Sequence, residues 1–370
     1  MKDNLFFCNG FMSALASCFI VDHLKKQYPE SNFYLCVEQN AKGGIVYYNV
    51  LEILIKQNKQ FKKIVRVKTE FKDLSLRRPF EFLKNFAYYK KIAEDTSRLL
   101  FNKNYPLHLC LWAPTVVRLW PFFMKRKVQF NLIEHGLGEY CQVSIYKNAR
   151  LKKLMIGYIR RALGYHAIDE FDSIWLCSNA VKFEPDEKVV QINFAELFNE
   201  YVDKFWLDYQ LAFPSAAKEL NLLAEKIQAN ESLVFLYLPS DEIRSEQYAR
   251  FANEQFASLK LPENATLVIK KHPGDVNANY DDQLERFANI VNISVLENCF
   301  IPAEFIVKIL KIKNVIGSAS STLFYLKSWM PDVGIHIYND YDPMMLTNES
   351  KDIKKLLDEM GLIKNAIPSC

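Results

Sequence analysis

No pair of cysteines in this 370-residue chain stands at C-x-x-C spacing, and none of the eight lies in a Cys/His cluster with metal-ligand spacing. Scattered in this way, Cys8, Cys18, Cys36, Cys110, Cys141, Cys177, Cys299 and Cys370 read as buried free thiols in a reducing compartment, in preference to a zinc site or a disulfide framework. A concentrated stripe of Lys and Arg is also missing. The formal net charge of +4 is too small for a nucleic-acid partner, which needs such a stripe to release counterions. No apolar run reaches the length of a membrane span: Leu5–Cys8 is cut short by Asn9-Gly10, and Phe11–Val21 is interrupted by Ser13 and Ser17 and ended by Asp22. The first run is also too short for the hydrophobic core of a signal peptide, so the protein is expected in the cytoplasm. Internal repeats, low-complexity tracts and Gly/Ser linkers are absent as well, which excludes solenoids and bead-on-string designs.

What the chain does have is the composition of a folded globular protein, 50% hydrophobic and 24% charged, at a length that suits two domains. Short apolar runs alternate with longer amphipathic ones. Leu5–Cys8, Phe33–Val37, Lys63–Val67, Leu107–Leu111 and Val128–Ile133 read as buried strands, with helices over Phe11–Gln27, Gly44–Asn58, Phe80–Phe101 and Thr115–Lys125 between them. A second series puts strands at Ser232–Leu238, Ala265–Ile269, Ile290–Leu296, Asn314–Ile316 and Val333–Ile337. Its helices are Glu246–Leu259, Asp281–Ala288, Ala303–Leu310 and Ser321–Trp329. This alternation predicts two α/β domains, each a doubly wound parallel sheet whose strands are continuous apolar runs because both faces are covered. The stretch 149–228 is less regular, rich in aromatic residues, and contains Pro185 and Pro214; the connection between domains is expected there. The expected domains are 1–190 and 191–370, with the boundary between about 165 and 230. Two such sheets are expected to face each other across a cleft, with ligands at the carboxyl ends of the strands.

Residues just after strands are therefore the ones to read for chemistry. Glu134-His135-Gly136-Leu137-Gly138-Glu139-Tyr140 follows the fifth strand and packs titratable side chains and glycines into one turn. Glycine lets a ligand approach the backbone, and a carboxylate at a strand end, half out of water, can be tuned for proton abstraction; the alternative is an ordinary turn with a surface acid. Lys270-Lys271-His272-Pro273-Gly274-Asp275 follows another strand. Proline holds the preceding His272 extended, and the lysines beside it suit an anionic ligand, to which the imidazole can give a hydrogen bond or proton; a solvated turn histidine is the plainer reading. Gly317-Ser318-Ala319-Ser320-Ser321-Thr322 leads into a helix, where amides, hydroxyls and the helix dipole form either a phosphate site or a simple N-cap. Ile301-Pro302-Ala303-Glu304-Phe305 opens a helix with proline near its first turn, and Glu304 is a candidate to hold a ribose.

In chain order the Glu134-His135-Gly136 turn, the His272-Pro273 pair, the Ile301-Pro302-Ala303-Glu304 helix start and the Ser320-Ser321 pair resemble the acidic-acidic-glycine, histidine-proline and serine motifs of the bacterial sialyltransferases and capsule polysialyltransferases. The first strand and its Asn9-Gly10 turn are similar to the opening segment of that family. The resemblance implies a GT-B glycosyltransferase that moves a nonulosonic acid from a CMP-activated donor to a hydroxyl of a bacterial surface glycan, lipooligosaccharide or capsule, with inversion and without a metal. It implies Glu134 as base and His272 as acid or phosphate stabiliser. Ser320 and Ser321 are implied as phosphate ligands, with Gly136, Lys271, Pro273, Ser318 and Glu304 also on the donor side and Asn9 and Gly10 on the acceptor side. The N-terminal domain then takes the acceptor and the C-terminal domain the CMP-sugar. One departure is that His135 stands where the family has a second acid, leaving open whether residue 134 or 135 is the base.

Neither a cofactor nor a metal is expected; Asp281-Asp282 reads as a helix start. Basic clusters at Lys125-Arg126-Lys127, Lys152-Lys153 and Arg160-Arg161 read as a solvated face, or as a contact with anionic glycan or the inner membrane surface. Because fold does not determine function, two other readings stand beside the transferase: a nucleotide-sugar epimerase or hydrolase on the same scaffold, and a non-catalytic glycan-binding module of capsule assembly.

Overall fold

A computed structural model describes residues 3–8, 10–40, 44–69, 78–100, 107–110, 130–134, 172–178, 188–229, 234–238, 261, 265–270, 292–296, 300–317, 321–337, 356 and 358–361. The chain divides into two compact units, Met1–Asn193 and Phe194–Cys370.

The first unit holds β1 (Asp3–Cys8), α1 (Phe11–Gln27), β2 (Asn32–Asn40), α2 (Gly44–Gln57), β3 (Phe61–Thr69), α3 (Pro79–Leu100), β4 (Leu107–Cys110), β5 (Phe130–Ile133), β6 (Ser173–Leu176) and β7 (Val189–Gln191). Its seven strands are all parallel, in the order β3-β2-β1-β4-β5-β6-β7. Interior strand β1 is buried from Asn4 to Cys8 and apolar from Leu5 on, because helices cover both faces of such a sheet. Edge strand β3 instead exposes Lys62, Lys63 and Arg66, charges that discourage further strand pairing.

Helix α1 is buried on nearly every side, from Phe11 through Val21 to Leu24. Its two buried serines are compatible with that only because both are bonded: Ser13 Oγ donates to Gly10 O at 3.1 Å and Ser17 Oγ to Ser13 O at 2.6 Å. Asn58 lies one residue beyond α2, whereas the sequence places it inside. Its amide donates to Cys18 O at 2.9 Å and to Asp22 Oδ1 at 3.2 Å, while its Oδ1 accepts from the Gln60 amide at 3.0 Å, so the side chain closes the turn and ties α2 to α1.

The second unit holds α4 (Ala195–Ala212), α5 (Pro214–Ala229), β8 (Val234–Leu238), β9 (Thr266–Lys270), β10 (Asn292–Leu296), α6 (Ala303–Ile309), β11 (Asn314–Gly317), α7 (Ser321–Trp329) and β12 (Gly334–Ile337). Its five strands are parallel in the order β10-β9-β8-β11-β12. Both sheets thus run outward in one direction and then resume on the other side of their first strand, the doubly wound pattern.

One expectation needs correction. The stretch 149–228 is more regular than expected where it is described: β6 and β7 complete the first sheet, α4 and α5 are two regular helices of the second unit, and the division between the units falls between them, after Asn193. Pro214 opens α5, a position where its missing N–H costs nothing. The aromatic residues of α4 form a core with α6 and α7: Phe198 meets Phe305 at 5.5 Å and Trp329 at 4.9 Å, and Phe205 meets Phe305 edge-on at 5.0 Å. The expected helices Thr115–Lys125, Glu246–Leu259 and Asp281–Ala288 lie outside the described residues. Cys8, Cys18, Cys36 and Cys177 are buried and free; burial pushes the Cys8, Cys18 and Cys36 thiols well up, which keeps them unreactive at neutral pH.

Candidate functional site

In each sheet the strand order reverses beside the first strand, between β1 and β4 and between β8 and β11, and ligands of such sheets bind near the carboxyl ends there. Chemistry-bearing residues gather at those ends in both units.

In the first unit, Glu134 directly follows β5, an interior strand between β4 and β6. Its backbone N–H donates to Trp175 O at 3.1 Å, continuing the sheet one residue further. Its carboxylate reaches across to β6, where Oε2 accepts a hydrogen bond from the Cys177 backbone N–H. The side chain is only 1% exposed, which corrects the expectation of an acid half out of water. The reason is its strand: an interior strand ends under its neighbours, and here Cys177 and Ser178, both buried, follow β6 beside it. Gly10, at the end of β1, is the extended N-cap of α1, and the first free amide of that helix, Phe11 N–H, is bonded at 2.9 Å by the hydroxyl of Tyr47 from α2. Burial raises the Tyr47 phenol to about 12, so it stays neutral in this role.

In the second unit three segments converge. Lys270 ends β9, Glu304 sits in the first turn of α6, and Thr322 follows Ser321 at the start of α7. The Thr322 side chain hydrogen-bonds the Glu304 carboxylate, and the Lys270 ammonium acts on it by charge. Glu304 is 4% exposed and Lys270 5% exposed, so the charge of Lys270 acts on Glu304 away from bulk water. Burial pushes the Glu304 carboxyl up, and its own backbone amide, the Thr322 hydroxyl and Lys270 pull it back. The cluster is positioned by the aromatic core, in which α4 packs on α6 and α7.

The structure therefore places Glu134, Gly10, Glu304 and Ser321, and brings the Glu304 segment together with the residue before the Lys271-His272-Pro273 turn and the residue after the Ser320-Ser321 pair. Asn9, His135, Gly136, Lys271, His272, Pro273, Ser318 and Ser320 lie outside the described residues, as do the three basic clusters. Tyr47 and Cys177 carry no sequence signal, because their roles depend on neighbours far along the chain. Thr322 was legible only as a helix-start hydroxyl. Among the described residues no group of three His, Cys, Asp or Glu side chains is arranged to hold a metal ion. The metal-free expectation passes over Asp340-Tyr341-Asp342, which has the D-x-D spacing that can hold a metal against a diphosphate; it too lies outside the described residues. No described helix is long and apolar enough to cross a membrane.

Comparison with known proteins agrees with this architecture. The structure is similar to the GT-B domain of the sialyltransferase from Photobacterium damselae, with a TM-score of 0.54 at 14% identity, covering 99% of this chain and 98% of that one. It is also similar to MnaA of S. aureus, solved with UDP, with a TM-score of 0.52 at 11% identity over 97% of this chain and 88% of that one. The fold is therefore GT-B. No curated protein matches the sequence. The family model for alpha-2,8-polysialyltransferase (POLYST) matches residues 4–339, nearly the whole chain, and so takes in both strand-end clusters: the chain belongs to the alpha-2,8-polysialyltransferase family and is a glycosyltransferase.

Proposed function

We propose that this glycosyltransferase moves a nonulosonic acid from a CMP-activated donor to a hydroxyl of a bacterial surface glycan, lipooligosaccharide or capsule, in the cytoplasm, with inversion and without a metal. The observation that carries the reading is the convergence of Lys270, Glu304 and Thr322, because each neighbours a different candidate donor-binding motif. The Ser318, Ser320 and Ser321 hydroxyls and the amides at the start of α7 bind the phosphate of CMP. Lys271 adds positive charge, Pro273 holds His272 extended, and His272 supports the phosphate as it departs. Glu304, oriented by Thr322 and Lys270, accepts from the ribose hydroxyls. On the acceptor side, beside the Asn9-Gly10 turn, Glu134 takes the proton from the attacking hydroxyl. The Cys177 amide donates to its Oε2 and so fixes the orientation of the carboxylate. Gly136 lets the sugar approach the backbone.

A second reading of the base rests on burial. With Glu134 only 1% exposed, it anchors the turn through Cys177 and the imidazole of His135 takes the proton instead. Single-turnover CMP release from Glu134→Gln and His135→Ala proteins separates the two, since loss in only one of them names the base. The donor class is tested by thermal shift: a ligand of the folded state raises Tm, so CMP should do so and UDP, GDP and ADP should not. Equal shifts with UDP would overturn the CMP assignment. Transfer that is abolished by EDTA and restored by Mg²⁺ would overturn metal independence and turn attention to Asp340 and Asp342.

A further inference from the structure

Helix α3 (Pro79–Leu100) is the crossover from edge strand β3 to β4, and it has two different faces. One is half-buried and carries Phe82, Asn85, Phe86, Tyr88 and Ile92, with Phe82 and Phe86 stacked at 5.9 Å. The other is open. Phe80 is 87% exposed and Leu83 62% exposed, and Ala87 is exposed with them. At 100° per residue these three fall within an arc of about 60°. On either side of that stripe stand exposed cations, Lys84 and Lys91 on one edge and Lys90 on the other. Arg78 immediately precedes the same helix and is paired with Glu81 at 3.3 Å.

We propose that this face of α3 lies on an anionic lipid surface, with Phe80 and Leu83 entering the boundary between headgroups and acyl chains and the lysines meeting lipid phosphates. An apolar stripe flanked by lysines is the pattern of a helix lying in a membrane interface, where the lysine stems extend outward and keep their charge in water. Charge complementarity selects anionic lipid. The apolar residues select lipid over an anionic polysaccharide, because Leu83 has neither a hydrogen-bonding group nor a ring face to offer a sugar. Two weak signals combine here: burial of two side chains, each changing partition by about tenfold or more, and surface attraction of about fivefold per lysine.

The test is co-sedimentation of the full chain with vesicles of pure phosphatidylcholine and of an equimolar phosphatidylcholine–phosphatidylglycerol mixture. Binding is expected to the mixed vesicles, weakening with salt, and to be negligible with pure phosphatidylcholine. K84Q/K90Q/K91Q should weaken the partition coefficient by about a hundredfold, and F80S/L83S by a similar factor or more. All five residues are exposed, so Tm and circular dichroism of both variants should match the parent; the lysine variant alone suffices if the other fails to fold. The proposal is overturned if the parent binds neither vesicle or both alike, or if the folded variants bind as the parent does. It is also overturned if a soluble anionic polysaccharide strips the parent from vesicles while F80S/L83S keeps full affinity for that polysaccharide, which would make the face a glycan site.

Discussion

Glu134 in the first unit and Glu304 in the second are buried beside strand ends, and the two are held in different ways. Glu134 in the first unit is fixed by a backbone amide, that of Cys177. Glu304 in the second is fixed by side chains, the Thr322 hydroxyl and the Lys270 ammonium. A backbone partner comes with the strand and survives any substitution but proline, so Glu134 has its geometry as long as β5 and β6 pair. A side-chain partner can be dismantled piece by piece, so the energetics of Glu304 are open to dissection, and its burial leaves it responsive to pH.

The largest expected effect is on Glu134. If it is the base, Glu134→Gln keeps an acceptor for the Cys177 amide and lowers transfer by about a hundredfold to ten-thousandfold, with Tm little changed; a fully active folded variant would reduce Glu134 to an anchor. Lys270→Met comes next. It removes a buried charge that favours the ionised Glu304, so stability in urea unfolding should fall at alkaline pH, and less in mild acid where Glu304 takes a proton. Adding Glu304→Gln to it should recover much of the loss, and strict additivity of the two changes would deny the electrostatic coupling.

A third expectation concerns pH itself. Because the folded-state value of Glu304 is raised, its contribution to stability is fully present below the ordinary carboxylate range and is lost as pH rises through the raised value. Stability should therefore fall with rising pH across that window in the parent and be flatter there in Glu304→Gln, measured by urea unfolding at each pH. An unchanged slope would mean that Glu304 titrates normally. Thr322→Val should cost about 1 kcal/mol through the lost hydroxyl bond and raise the Glu304 value further, read by the same titration. A similarly small effect is expected at the edge of the second sheet, where a Cβ on Gly334 would stand 2.8 Å from Asn314 Oδ1 and displace it from His336, to which it is bonded at 3.3 Å. Gly334→Ala should cost about 1 kcal/mol, without touching either acid.

Much of the frame was legible in the amino-acid order. Helix α1 runs Phe11–Gln27 and α7 runs Ser321–Trp329, as read, because glycine and hydroxyl residues mark their starts and the apolar runs end with them. Strands β1, β2, β8 and β9 are buried on both faces, which gives continuous apolar runs that stand out against their flanks. Short β6 and β7 did not stand out: Ser173–Leu176 and Val189–Gln191 have too few residues and too much polarity to announce a strand, and they exist because β5 offers an edge to pair with. Helix α4 did carry a periodic signal, with Phe198, Val202, Phe205 and Tyr209 at helical spacing, but the aromatic richness and two prolines of that stretch made it read as a connection.

For the site, the sequence by itself determined which segments matter: the turn at Glu134, the run after β9, the helix starts at Glu304 and Ser321. Local chemistry suffices for that, since strand ends, prolines and small hydroxyl residues act on their immediate neighbours. Only the tertiary structure decided that Glu134 is sealed against Cys177 and that Lys270, Glu304 and Thr322 share one buried cluster. Those contacts join positions tens of residues apart, and burial, which sets the strength of each of these charges, is a property of the packed chain and not of any segment within it.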